Sequence, residues 1–252
     1  MIKTTYINHM GDDLTVVNAA RVSFGKKKEA LGYTGVEGGA MRPILHDSDL
    51  KLIRYLAKHR HMSPFGHCFA SFHVKAPIFV ARQLVKHKFL RWNEISRRYV
   101  DDEPEFYQPD VWRGRSEDKK QGSDGVVNVG KIGDISLTSK TLYNSLLDRG
   151  VCPEQARMVL PQSTMTEWYW SGSLDAFADM CNLRLKDDTQ EETRHIAHQI
   201  SQVMLDLFPN SWQPLLTSRP LSVPISEYGK IREMTEDERQ RGKEKSVANG
   251  RR

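Results

Sequence analysis

Between residues 67 and 89 the hydrophobic pattern of the chain changes from alternation to helical spacing. From Cys68 to Val74 every second side chain is apolar, which is typical of a strand with one buried face. Pro77 follows at a position that suits the first turn of a helix. After it, apolar side chains recur at helical spacing: Ile78, Phe79, Leu84, Val85 and Phe89. A half-buried strand that leads into an amphipathic helix predicts an α+β fold.

The rest of the chain alternates between the same two kinds of pattern. A pair of strands is predicted at about residues 3–9 and 14–20. One further strand is predicted at residues 164–170, which are rich in aromatic and β-branched side chains. Helices are predicted at five places: residues 48–59, 137–149, 153–160, 173–185 and 189–207. Strands and helices are therefore expected to be interspersed up to about residue 207.

Two segments differ from this pattern. Residues 113–136 contain five glycines and few large apolar side chains, which predicts an excursion on the surface of a domain and not a linker between domains. Residues 229–252 are polar, lack aromatic side chains and hold eight Lys or Arg residues and five acids. We therefore expect residues 1–228 to form a single domain and residues 229–252 to be a charged tail without fixed structure.

The charge of the chain bears on its partners. A formal net charge of +5 is compatible with a basic nucleic-acid-binding module. The tail carries a net +3 of this charge, however, which leaves only +2 for the rest of the chain. The charge of the tail therefore favours a role in solubility, and no specific nucleic-acid partner is expected.

Cysteine spacing and apolar runs indicate the compartment. No apolar run approaches the ~20 residues of a membrane-spanning helix, and the N-terminus lacks the apolar segment of a signal peptide. Cys68, Cys152 and Cys181 have no metal-ligand or paired disulfide spacing. We expect a protein of the reducing cytoplasm, without a membrane partner.

The segment from Lys86 to Tyr99 is dense in cationic and imidazole side chains, beginning with Lys86-His87-Lys88. A charged helix in water is the simplest interpretation of such a run. Here, however, Asn93, Glu94, Ser96 and Tyr99 lie between the cations and supply the donors and acceptors that a nucleotide base or sugar needs. The mixture favours a phosphate-bearing ligand.

These residues resemble the flavin-dependent thymidylate synthase family, whose signature is Arg-His-Arg, seven residues, then Ser. In this chain Lys86 and Lys88 replace the two arginines, and Ser96 stands at the serine position. Further blocks occur in the order of the family: residues 19–24, 63–65, 72–83, 156–161 and 182–184. The resemblance covers about residues 15–207.

The resemblance implies a central antiparallel sheet flanked by helices, and a homotetramer whose active sites form where subunits meet. It implies methylation of dUMP to dTMP, with methylenetetrahydrofolate as carbon donor and NADPH as reductant of FAD. Residues matching FAD-binding positions are Ser23, Ser63, Lys86, His87, Lys88, Phe89, Glu94, Ser173, Asp175 and Asp179. Residues matching positions around dUMP are Gln83, Lys86, Glu94, Ser96, Arg97, Arg98, Arg157 and Arg184.

Arg184 is the predicted catalytic residue. By resemblance it lies beside the uracil, where a cation would stabilise negative charge at N3 and O4 and make C5 nucleophilic. The alternative is an arginine that satisfies the last carbonyls of the predicted helix 173–185. Arg98 and Arg157 are the natural phosphate ligands, because a guanidinium group fits phosphate oxygens bidentately.

The chain departs from the family at several positions. Lys86 and Lys88 keep the charge but lose the planar guanidinium, Gly66 stands where the family commonly has an acid, and Arg97 replaces a small residue. Asp179 places an acid near the flavin. Two alternatives follow: a related flavoenzyme that installs another one-carbon group, such as hydroxymethyl, on dUMP, or a non-enzymatic basic nucleic-acid-binding module.

Other chemistries are weaker interpretations. Cys152 precedes Pro153 and suits a structural cysteine at a helix start better than a nucleophile. Ser96 has no recognisable base partner in the sequence, so a ligand-binding hydroxyl is favoured. Histidines are numerous between residues 59 and 73, but without a supporting carboxylate or cysteine cluster no metal site is expected.

Overall fold

The computed structural model describes residues 2–35, 41–117, 122–130 and 135–217. The strands in these residues are β1 (Lys3–Met10), β2 (Gly32–Gly35), β3 (Met41–Ile44), β4 (Phe69–Pro77), β5 (Leu90–Glu94), β6 (Trp112–Arg115), β7 (Ser123–Val127) and β8 (Met165–Ser173). The helices are α1 (Asp13–Arg21), α2 (Asp47–Lys58), α3 (Ile78–Leu84), α4 (Ile135–Asp148), α5 (Pro153–Ala156), α6 (Leu174–Arg184), α7 (Glu191–Leu207) and α8 (Pro209–Leu215).

A central antiparallel sheet has the strand order β1-β4-β8-β5. Strand β4 pairs with β1 on one side and β8 on the other, and in this register Phe72 lies opposite both Tyr6 and Trp170. Alternate residues of β4, including Phe72, are buried, as the alternating pattern predicts. The predicted α+β fold with a central antiparallel sheet is therefore confirmed.

Helices cover the apolar face of this sheet. The rings of Phe72 in β4 and Phe177 in α6 meet edge to face, with centroids 5.2 Å apart, and Trp92 in β5 stacks on Trp168 in β8 at 4.2 Å. One core cluster includes buried residues from Ile2 to Leu215. It joins strands β4, β5 and β8 to helices α1, α2, α3, α6, α7 and α8.

Two hairpins stand apart from the central sheet. Strands β2 and β3 pair with each other, and β6 and β7 form a second two-stranded sheet within the predicted excursion of residues 113–136. A two-stranded sheet is marginally stable by itself in water, so each hairpin depends on contacts with the rest of the protein.

Several predicted elements are confirmed, with ends that differ by at most three residues. Strands β1, β4 and β8 and helices α2, α4, α6 and α7 lie where the sequence patterns placed them. The predicted helix 153–160 is present as α5 followed by a 3₁₀ turn, Arg157–Val159. The predicted charged tail, residues 229–252, lies outside the described residues.

The strand predicted at residues 14–20 is wrong, because this segment forms helix α1. Its start is fixed by a capping box: the Asp12 side chain accepts from the Thr15 backbone at 2.8 Å, and the Thr15 hydroxyl accepts from the Asp12 backbone at 3.1 Å. The buried Val16 and Val17 pack on the core side of this helix. Local hydrogen bonding here outweighs the β propensity of valine.

The apolar face predicted for residues 77–89 is wrong at its C-terminal end. Helix α3 ends at Leu84, and Phe89 has a φ of 65° and is 81% exposed. Strand β5 then begins at Leu90, within a segment that was expected to be a loop. Phe89 therefore projects from a turn and not from a helix.

None of the described helices is long and apolar enough to cross a membrane.

Candidate active site

A cavity of about 1050 Å³ lies between α3, the end of α6, the start of α7 and the β6–β7 hairpin. Three of its lining residues belong to the predicted substrate set: Gln83, Lys86 and Arg184. The chain thus brings together residues that are about a hundred positions apart in sequence. The size of the cavity is in the range of small-molecule sites.

Arg184, at the end of α6, is held by two hydrogen bonds to the α3 region. Its Nε donates to Nε2 of His87 at 2.9 Å, and its Nη2 donates to the backbone carbonyl oxygen of Gln83 at 2.7 Å. The carbonyl that Arg184 satisfies therefore belongs to the last turn of α3 and not to its own helix. Burial lowers the pKa of Arg184, but an arginine stays charged. The result is an oriented cation in the cavity wall.

His87 is neutral in this setting. Burial, and secondarily the positive charge of Arg184, lower the pKa of His87 to about 4, while the charge of Asp179 acts in the opposite direction. Because Nε2 accepts from Arg184, the proton of the neutral ring is on Nδ1. His87 therefore orients Arg184 and retains one donor for another group.

The side-chain amide of Gln83 is oriented by the start of α7. Its Nε2 donates to Oε1 of Gln190 at 2.5 Å, and its Oε1 accepts from the hydroxyl of Thr193 at 3.2 Å. Gln190 also lines the cavity. The orientation of Gln83 thus depends on where the first turn of α7 lies.

Lys86 and Lys88 are exposed cations on either side of His87. Neither forms an ion pair with any residue in the described ranges. Of the two, Lys86 lines the cavity. Two unneutralised ammonium groups close together in the chain suit an anionic ligand such as a pyrophosphate. Ser63, at the first position of a 3₁₀ turn (Ser63–His67), and Ser23, in the turn after α1, are also exposed.

The N-terminal part of α6 carries the other predicted flavin residues. Ser173 is buried at the N-cap, and Asp179 pairs with Arg60 at 3.3 Å. The Oδ1 atom of Asp175 is buried without a hydrogen-bond partner among the described residues, and it faces Gly66 at 3.9 Å from where a side chain at that position would begin. A buried acceptor without a partner suits a ligand hydroxyl or N–H donor. An unpartnered acceptor and two free ammonium groups are the kinds of group that a flavin dinucleotide needs, although of these residues only Lys86 lines the cavity.

The remaining predicted residues do not line this cavity. Glu94 accepts from Thr166 at 2.7 Å and from the indole of Trp92 at 3.0 Å. The other four predicted dUMP residues, Ser96, Arg97, Arg98 and Arg157, lie in loops or turns. The Ser96 hydroxyl accepts from Arg98 at 3.2 Å, and Arg97 pairs with Asp102. The exposed Arg157 donates to the carbonyl oxygen of Glu154. One chain therefore places the predicted uracil and phosphate ligands in different environments. Their roles stay predictions.

Sequence patterns missed a polar network on the opposite wall of the cavity. Nη2 of Arg113 donates to Oε1 of Glu192 at 2.5 Å, and the same oxygen accepts from the hydroxyl of Tyr107 at 3.2 Å. Burial raises the pKa of Glu192, but its hydrogen bonds, of which the one from Arg113 has the largest effect, together with the charge of Arg113 outweigh burial, and the net pKa is lowered. Burial and the charge of Glu192 raise the pKa of Tyr107 to about 12. A single arginine in a glycine-rich segment carries no sequence signal for such a contact.

Thiol and metal chemistry receive no support from the geometry. Burial raises the pKa of the Cys68 thiol to about 12 and also raises the pKa of Cys181, so both are protonated. Cys152 is exposed at the start of α5 and does not line the cavity. The described ranges contain no cluster of three or more His, Cys, Asp or Glu residues that could hold a metal ion.

Comparison with known proteins adds independent information. Residues 5–210 match the family described as thymidylate synthase complementing protein. A flavin-dependent thymidylate synthase of Thermus thermophilus is 37% identical over 210 residues, which cover 82% of this chain and 72% of that protein. The corresponding enzyme of Thermosipho africanus is 36% identical over 224 residues, which cover 83% of this chain and 89% of that protein.

A solved structure is also similar. The UMP/dUMP methylase PolB from Streptomyces cacaoi, in a crystal structure with bound 5-Br dUMP, has a TM-score of 0.67 and 29% sequence identity to this chain. The match covers 85% of this chain and 94% of that chain.

Proposed function

Because the chain belongs to the family of thymidylate synthase complementing proteins, we propose that it is a flavin-dependent thymidylate synthase. In this reaction dUMP is methylated to dTMP, methylenetetrahydrofolate donates the carbon, and NADPH supplies electrons through FAD. The enzyme is thus an FAD-dependent methyltransferase. The name of the similar solved structure, a UMP/dUMP methylase, supports the same class of substrate.

The observation that carries this proposal is the position of Arg184 in the cavity wall. Its guanidinium is fixed by the neutral His87 and by the carbonyl of Gln83, so it does not need to reorganise when charge develops in a ligand. A uracil ring seated against it has its N3 and O4 stabilised as they become negative, which makes C5 the nucleophilic carbon. Gln83, oriented from α7, supplies an amide to the same ligand.

The flavin, when bound, supplies the transfer of the one-carbon unit and the hydride that completes a methyl group. Lys86 and Lys88 would hold its pyrophosphate, and Asp175 would accept a hydrogen bond from a hydroxyl or N–H group of the flavin. Further contacts are assigned to Ser23, Ser63, Phe89, Glu94, Ser173 and Asp179. The protein therefore contributes binding, orientation and a fixed positive charge.

We also propose that the active enzyme is a homotetramer with shared sites. Arg98 and Arg157, the expected phosphate ligands, do not line the cavity that contains Arg184. A second subunit that supplies them would complete the dUMP site, together with Ser96 and Arg97. Arg184→Ala should have low turnover and Arg157→Ala weak dUMP binding. At subsaturating dUMP, a mixture of the two proteins should then be more active than either alone, because some sites receive both intact arginines. No recovery after subunit exchange would contradict shared sites.

Residues 1–228 are proposed as one domain, since one core cluster joins three strands of the central sheet to six of the described helices. We assign the protein to the cytoplasm, where unpaired cysteines such as Cys68 and Cys181 remain reduced.

The function is tested by incubating the protein with dUMP, methylenetetrahydrofolate, FAD and NADPH, followed by mass spectrometry of the nucleotide. A product with the mass of dTMP is expected. A product with the mass of hydroxymethyl-dUMP would instead assign the related one-carbon activity. A colourless protein without saturable FAD binding or turnover would exclude the flavoenzyme assignment and favour the alternative of a nucleic-acid-binding module.

A further inference from the structure

The β6–β7 hairpin forms one wall of the cavity, although its composition suggested only a surface excursion. Residues from both of its strands, Trp112 and Arg113 in β6 and Ser123 in β7, line the same cavity as Arg184. The hairpin pairs with no other strand within the described ranges. Its position must therefore be maintained by side-chain and loop contacts.

Arg113 provides the first of these contacts. Besides its bond to Glu192, its Nε lies 2.9 Å from the hydroxyl of Ser123 and 3.3 Å from a carboxylate oxygen of Glu191. Glu192 is only 6% exposed, and a buried carboxylate needs a charged or hydrogen-bonding partner. One guanidinium thus ties β6, β7 and the first turn of α7 together.

Gly122 provides a second contact with the same region. Its φ is 89°, and a methyl group at this position would lie 3.2 Å from the carbonyl oxygen of Asp188 and 3.3 Å from its Cα. Residue 188 belongs to the loop between α6 and α7, and a side chain at position 122 would push this loop away. The hairpin therefore lies directly against the segment that links Arg184 to α7.

This segment carries the groups that orient the predicted substrate residue Gln83. Gln190 at the N-cap of α7 accepts from the Gln83 amide, and Thr193 in the first turn donates to it. Glu192, the partner of Arg113, lies between them in the same turn. A shift of this turn would move the Gln83 amide while leaving the body of the fold intact.

We propose that Arg113 is a positioning residue for the substrate: through Glu192 it holds the hairpin wall and the first turn of α7, and so sets the orientation of Gln83. Arg113 acts through other residues and needs no contact with the ligand itself. This inference rests on the proposed function, because it identifies dUMP as the ligand whose binding depends on Arg113.

The test compares Arg113→Gln with Arg115→Gln, a matched control in the same strand whose side chain is exposed. For Arg113→Gln, KM for dUMP should rise roughly tenfold or more, with kcat and the FAD dissociation constant changed less than about twofold. Hydrogen exchange of the free protein should accelerate in peptides covering residues 122–127 and 188–193. Arg115→Gln should leave KM, kcat, the FAD dissociation constant and the hydrogen exchange of these peptides unchanged.

A double variant, Arg113→Gln with Glu192→Gln, separates positioning from the cost of an unpaired buried charge. It removes the buried carboxylate, so it should fold normally, but it should keep the raised KM. A wild-type KM in the double variant, unchanged exchange at residues 188–193 in Arg113→Gln, or an equal effect of Arg115→Gln would each overturn the inference. Wild-type protein that neither binds nor converts dUMP would overturn the proposed function, and the substrate role of Arg113 with it.

Discussion

Arg184 donates a hydrogen bond from Nε to Nε2 of His87 over 2.9 Å, which joins the end of α6 to the centre of the cationic segment. Arginine has no acceptor, so His87 must be the acceptor and cannot carry a proton on that nitrogen. The predicted catalytic cation and the predicted flavin-binding segment are therefore in direct contact. Substitutions at either residue are expected to affect the other.

Arg184→Ala should lower turnover by roughly 10²–10³, or about 3–4 kcal/mol, because it removes a fixed donor for developing negative charge. FAD binding should survive, since Lys86 and Lys88 remain. The measurement is dUMP-dependent turnover at saturating dUMP, beside a flavin titration of the same protein.

Arg157→Ala is the comparison for Arg184→Ala, because its expected role is to bind the phosphate. It should chiefly raise KM for dUMP and change the saturated rate less. If Arg184→Ala keeps near wild-type turnover at saturating dUMP, Arg184 has no catalytic role and serves only as a structural link between α6 and α3.

His87 should titrate with a pKa of about 4, well below the ordinary 6.5, and should be neutral at physiological pH. Removing the positive charge in Arg184→Ala should raise this pKa, whereas Asp179→Asn should lower it. NMR titration of the histidine ring tests both directions. A wild-type pKa near 6.5 would show that the ring is not held as described.

The same shift predicts how stability depends on pH. Between pH 6.5 and about 4 the unfolded chain protonates His87 and the folded chain does not, so the free energy of unfolding should fall as pH falls through this window. His198 has a similarly lowered pKa and adds to the effect. His87→Gln should show a shallower decline in denaturant unfolding between these pH values. An equally steep decline would exclude a contribution from His87.

Restoring arginine at both lysine positions, Lys86→Arg with Lys88→Arg, should tighten FAD binding. A guanidinium forms two parallel hydrogen bonds with phosphate oxygens, and an ammonium acts only as a point charge. Fluorescence titration of the flavin measures the change, with Lys51→Arg on the exposed side of α2 as a control. Equal affinities of the double variant and the wild type would argue against a pyrophosphate at this segment.

Cysteine chemistry is expected to be absent from the reaction. Cys152→Ser, and the triple variant that also replaces Cys68 and Cys181, should keep most of the turnover if they fold. Cys68 and Cys181 are buried, so the triple variant needs a thermal unfolding control. Loss of activity in Cys152→Ser alone, with an unchanged circular dichroism spectrum, would indicate a thiol mechanism instead.

Local patterns were sufficient for three strands of the central sheet and most of the described helices, but they did not identify β5, α8 or the strands of the two hairpins. Alternation identified β4, and helical spacing identified α2 and α7, because side-chain periodicity reports directly on backbone conformation. The prediction was wrong for α1, where the Asp12–Thr15 capping box starts a helix in place of the expected strand. The resemblance to the family likewise depended only on the order and spacing of short motifs.

The sequence by itself therefore determined the α+β class, the main elements and the family, all of which are properties of neighbouring residues. Only the tertiary structure decided which distant residues meet: Arg184 and His87 are 97 positions apart, and Arg113 and Glu192 are 79 positions apart. The physical reason is that such contacts arise from the packing of α3, α6, α7 and the β6–β7 hairpin around one cavity. Periodicity within any single element contains no information about that packing.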